Sequence, residues 1–82
     1  MSGRTSIAEA NAPLDKNVAI IVKKKGLKMM HVAAEAGLTA QELSEMLNGR
    51  RLIKARDIPR LAFALKVTAD DLFSQDTGEE ES

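Results

Sequence analysis

Apolar residues recur along this chain at intervals of three and four, not two, which predicts helices and leaves no strand pattern in competition. Leu14, Val18, Ile21 and Val22 form one helical stripe, and the run stops at Lys23-Lys24-Lys25-Gly26, basic residues in a last turn followed by glycine. Val32, Ala33 and Ala36 predict a second, short helix closed by Gly37. Thr39 opens a third: Thr39 and Glu42 have the spacing of a capping box, and Leu43, Met46 and Leu47 supply its apolar face before Asn48-Gly49 ends it. A fourth helix is expected over about residues 55–66, with Pro59 tolerated only in its first turn, and a fifth over Ala69 to Phe73. The reading is an all-α chain of five helices.

Composition narrows this further. With 82 residues there is room for one core and no second domain. Hydrophobic residues make up 44%, yet Phe63 and Phe73 are the only aromatics, so Leu, Ile, Val, Met and Ala must fill the interior. There is no cysteine, which excludes a disulfide framework, a thiolate zinc site and a cysteine nucleophile, and fits a reducing cytoplasm. No apolar run approaches the roughly 20 residues of a membrane span, and the N-terminus has no stretch resembling a signal peptide.

The formal net charge of zero hides a polarised chain. Between residues 14 and 73 there are eleven Lys and Arg against seven Asp and Glu, an excess of four positive charges. Residues 74–82 carry Asp76, Glu79, Glu80 and Glu81 and no cation. Three segments are therefore expected: a disordered tail over residues 1–13, a folded domain over 14–73 and an acidic, disordered tail over 74–82.

The stretch from Met29 to Asn48 resembles the two-helix unit of the Cro and phage-repressor family of helix-turn-helix domains, also called XRE-like. The family places a small residue within the first helix, a glycine in the turn and buried aliphatics along the second helix; here these are Ala33, Gly37, Leu43 and Met46. Each answers a geometric need: Ala33 permits close approach of the second helix, Gly37 can take the positive φ of a tight turn, and Leu43 and Met46 anchor the second helix. The likeness continues through Asn48-Gly49-Arg50-Arg51, the run from Ile58 to Val67, and Leu72-Phe73. It departs at Lys28-Met29-Met30, where the family commonly has Ser or Thr followed by Gln, so a side-chain cap is lost there.

The resemblance implies a compact five-helix, lambda-repressor-like domain with the helix-turn-helix at the second and third predicted helices. It also implies a sequence-specific transcription regulator, a repressor by type, whose recognition helix starts near Thr39 and enters the major groove of double-stranded DNA. By register, Ala40, Gln41 and Glu45 are expected at base edges: Gln41 can pair with adenine, Glu45 can accept from cytosine, and the Ala40 methyl can meet thymine. Lys28, Thr39, Asn48, Arg50, Arg51 and Lys54 are expected at phosphates, and Glu42 in the cap. Lys23 to Lys25 suit a helix C-terminus for dipole reasons alone. One module reads few base pairs, so a homodimer on a pseudo-palindromic operator is expected, with Val67 to Phe73 as its contact surface; the alternative for Leu72 and Phe73 is that both simply close the core.

Catalysis is not expected. His31 is the only histidine, there is no Tyr, and Gly26, Gly37 and Gly49 each stand alone at a helix end instead of forming a phosphate loop. No metal, cofactor, membrane or small-molecule partner is indicated. The rival reading is a helix-turn-helix module used for protein contact, such as an antitoxin or regulatory adaptor, to which Met29, Met30 and the acidic tail would suit.

Overall fold

A computed structural model describes residues 6–74. They form six helices: α1 (Ile7–Asn11), α2 (Leu14–Lys25), α3 (Met29–Ala36), α4 (Ala40–Leu47), α5 (Asp57–Leu65) and α6 (Ala69–Phe73). The last five occupy the places that periodicity predicts. Pro59 falls in the first turn of α5, where its missing N–H has no helical partner to lose.

The core is aliphatic, as the composition requires. Val18, Val32, Leu43, Leu61, Leu65 and Leu72 are almost completely buried, with Leu14, Val22, Met46 and Ile53 beside them. Helix α3 packs chiefly on α5 and α4, and α2 packs across α6, α4 and α5, so the helix-turn-helix pair rests on a platform of three other helices. Both phenylalanines are left outside: Phe63 is 67% exposed and Phe73 48% exposed.

Two expectations are corrected. Residues 6–13 are not a tail. Ser6 Oγ accepts the Glu9 N–H and Glu9 Oε1 accepts the Ser6 N–H, both at 3.1 Å, closing a capping box that starts α1. The described residues therefore hold six helices, and α1 is tied in by Asn11, which is fully buried. The second concerns Leu72, expected either on a contact surface or closing the core: it is fully buried and closes the core, leaving Phe73 as the exposed member of that pair. Ser74 is held by its carbonyl, which accepts from Asn17 Nδ2 at 2.7 Å. The rest of the expected acidic tail, and residues 1–5, lie outside the described residues.

Candidate nucleic-acid interface

Helix α4 is built as a two-sided element. Thr39, in extended backbone, accepts the Glu42 N–H on Oγ1 at 3.0 Å, while Glu42 Oε1 accepts the Thr39 N–H at 2.9 Å. Four residues on, Leu43 and Met46 are buried and Leu47 is half-buried. That fixes the opposite face toward solvent: Ala40, Gln41, Ser44 and Asn48 are exposed and Glu45 is half-buried. The turn before α4 requires Gly37, whose φ of +78° is left-handed, and Ala33 and Ala36 are buried on α3, which packs on both α4 and α5.

The outward side chains are engaged with one another. Gln41 Nε2 donates to Glu45 Oε2 at 3.3 Å, and Asn48 Nδ2 donates to Ser44 Oγ at 3.3 Å. Arg51 folds back over the helix end: its Nε and Nη2 are each 3.2 Å from Glu45 Oε1, and its Nη1 is 4.0 Å from Glu42 Oε2. Two of the residues expected in different roles, Glu45 at bases and Arg51 at phosphates, are thus partners.

The other expected phosphate residues are placed differently. Arg50 and Lys54 are exposed in the segment after α4, and Lys28 is exposed at the start of α3, where it makes no side-chain cap. On the flank of α4 a polar cavity of about 310 Å³ opens between Gly37, Glu42, Met46 and the cationic side chains of Arg51, Lys54, Arg56 and Arg60. Both of its carboxylates are occupied: Glu42 by the Thr39 cap, and the buried Asp57 by the Lys54 N–H at 2.9 Å. Lys54, Arg56 and Arg60 have no ion pair among the described residues.

Three polar side chains hold helix ends in place, and two of them, Asn11 and Asn17, were not identified from sequence. Asn11 Nδ2 donates to the carbonyls of Met46 at 3.0 Å and Arg51 at 2.9 Å, and its Oδ1 accepts the Ile53 N–H at 2.8 Å. One side chain therefore pins the last turn of α4 and the segment that follows it. Asn17 does the same for the end of α6, donating to Leu72 O and Ser74 O at 2.7 Å each. Lys25 Nζ donates to Leu65 O at 2.8 Å at the end of α5, so this member of the lysine run caps a neighbouring helix as well as ending its own. The Ser6-Glu9 spacing was the available sequence signal for α1; nothing in sequence marked Asn11 or Asn17.

His31 is exposed on α3, and among the described residues no group of three or more acidic or histidine side chains is placed to hold a metal. No helix among them is long and apolar enough to cross a membrane.

No protein-family model matches the chain, and no curated protein matches its sequence. Solved structures do. It is similar to the restriction-modification controller protein C.AhdI from Aeromonas hydrophila, with a TM-score of 0.69 and 25% identity over 73% of this chain and 91% of that one. It is similar to the hypothetical transcription factor NHTF from Neisseria, with a TM-score of 0.72 and 24% identity over 90% of this chain and 85% of that one. The clp gene regulator ClgR from C. glutamicum gives a TM-score of 0.70 and 20% identity over 84% and 86%. The chain has the all-helical, helix-turn-helix fold of regulators of the Cro and phage-repressor type, with α3 and α4 as its helix-turn-helix and α1 as a short helix ahead of the five expected.

Proposed function

We propose that this protein is a DNA-binding transcription regulator, a repressor by type, that presents α4 to the major groove of duplex DNA. The observation carrying this reading is the two-sidedness of α4: one face is locked into the core by Leu43 and Met46, and the other exposes Ala40, Gln41, Ser44 and Asn48, with Glu45 half-buried among them. The similar structures, described as a restriction-modification controller, a gene regulator and a transcription factor, support it.

In this reading Ala40, Gln41 and Glu45 face base edges. Gln41 keeps its amide oxygen and one N–H for adenine while bound to Glu45. Thr39 and Asn48 flank the helix at its two ends, and Lys28, Arg50 and Lys54 offer exposed cations to phosphates. The functional unit is a homodimer on an inverted repeat with half-sites about 10 base pairs apart, centre to centre. Phe73 and Phe63, the two exposed aromatics, are the residues to expect in its contact.

The test is a selection from randomised duplexes followed by salt titration. Gln41→Ala is expected to relax preference at one operator position, costing about 1–3 kcal/mol, and Arg50→Ala or Lys54→Ala to weaken all duplexes alike and lower the salt slope by about one. Absence of any enriched motif would remove the base-reading role. The exposure of Met30, 68%, and of Phe63 favours a second reading as a protein-contact module. Binding to a protein partner that is indifferent to salt, with no duplex binding at low salt, would establish that reading instead.

A further inference from the structure

The end of α4 is organised around one residue pair. The Glu45 carbonyl accepts the N–H groups of Arg50 at 2.8 Å and Arg51 at 3.2 Å, which turns the chain back over the last turn of the helix. From the far side, Asn11 holds the Arg51 carbonyl. With its amide and its carbonyl both fixed, Arg51 can set its guanidinium against the Glu45 carboxylate through Nε and Nη2. The remaining Glu45 oxygen receives Gln41. The carboxylate therefore lies between a guanidinium and an amide on the polar face of α4.

Two physical consequences follow. A glutamate free on a helix surface samples several rotamers, and ordering it on binding costs side-chain entropy; one already held by two partners is pre-organised. Two carboxylates, Glu42 and Glu45, would also repel the phosphates on either side of a groove, and Arg51 lies against both. A guanidinium so engaged turns its Nε and Nη2 to a carboxylate and not to a phosphate, although it is one of a basic cluster directly after the helix.

We infer that Arg51 is a positioning residue for sequence readout: it holds Glu45, and through Glu45 the amide of Gln41, in one arrangement, and is withheld from the DNA backbone. This rests on the proposal that α4 reads DNA.

The two roles open to Arg51 differ in measurable ways. The wild type, Arg51→Ala, Arg51→Lys, Glu45→Ala and the double variant Glu45→Ala/Arg51→Ala are each put through selection from randomised duplexes and salt titration on a fixed non-specific duplex, with thermal unfolding confirming that each folds. Arg51→Ala is expected to reduce discrimination at the operator position governed by Glu45 by about tenfold while leaving the salt slope unchanged. Arg51→Lys, which keeps the charge but lacks the planar two-nitrogen grip, is expected to lose the same discrimination. Glu45→Ala is expected to free the guanidinium, steepening the salt slope by about one, and the double variant to return it to the wild-type value. A salt slope that falls by about one in Arg51→Ala, with base preference intact, would make Arg51 a phosphate contact and overturn the inference while leaving α4 as the reading helix. A wild type that enriches no motif would overturn the readout itself, and the role of Arg51 with it.

Discussion

The two ends of α4 are held by opposite means. At its start, Thr39 and Glu42 satisfy each other's backbone within three residues, in a box that is exposed to water. At its end, the restraint comes from Asn11, at a separation of 35 residues from Met46 and 42 from Ile53, and fully buried. A local cap stabilises one helix wherever that helix goes. A buried clamp from a distant element fixes where the helix end lies relative to the rest of the molecule, and removing it leaves polar groups that water cannot easily reach. The start of the helix is thus secured by secondary structure and the end by tertiary structure.

If that contrast is right, Asn11 is the most sensitive position near the interface. Asn11→Ala removes three hydrogen bonds and orphans the Ile53 N–H, with an expected loss of about 3 kcal/mol in chemical denaturation. Asn11→Asp should be no better: it retains an acceptor for Ile53 but turns a buried carboxylate toward two carbonyls. A loss below about 1 kcal/mol for Asn11→Ala would mean that α1 merely leans on the end of α4.

A smaller effect is expected at Gly49, on the same side of the comparison. Its φ is +77°, and a Cβ built there would lie 2.9 Å from the Cβ of Ala8 in α1. Gly49→Ala carries left-handed strain of about 1–2 kcal/mol and pushes α1 away. Gly49→Ala combined with Ala8→Gly relieves the contact but not the strain, so unfolding measurements on the pair divide the cost between backbone and packing.

The same contrast explains what could be read from the chain. Gly37, the Thr39-Glu42 box and the spacing of Leu43, Met46 and Leu47 are signals confined to one turn or two, and they located α4 and its outward face. The Ser6-Glu9 box is the same kind of signal, but the helix behind it has five residues and buries an asparagine, so hydrophobic periodicity does not register it. The partners of Asn11 and Asn17 are backbone groups 35 to 57 residues away, and a backbone carbonyl looks alike at every position in a sequence. Arg51 illustrates the limit at the site: its charge and its place after α4 were legible, while its pairing with Glu45 and the hold of Asn11 on its carbonyl are contacts that no local pattern marks.

Thr39→Ala tests the local end. Removing one exposed cap should cost about 1 kcal/mol, well below Asn11→Ala, with the loss concentrated in the first turn of α4 by hydrogen exchange. A loss equal to that of Asn11→Ala would erase the distinction between the two ends.

The smallest expected change has the opposite sign and lies at α3, whose start has neither device. Lys28 has the extended backbone of a capping residue, φ −96° and ψ 137°, but no side-chain cap, and the first turn of α3 contains no acidic residue. Lys28→Ser supplies an oxygen for an N–H of that turn without altering the backbone, which should raise stability by about 0.5–1 kcal/mol. It also removes a cation proposed to meet phosphate, so binding to every duplex should weaken and the salt slope should fall by about one. Stability and binding then move in opposite directions, and thermal unfolding and salt titration on the same sample measure both. Greater stability with unchanged binding would take Lys28 out of the interface; unchanged stability with weaker binding would mean that the start of α3 is already satisfied by its own backbone, where the His31 and Val32 N–H groups both reach the Lys28 carbonyl at 3.0 Å.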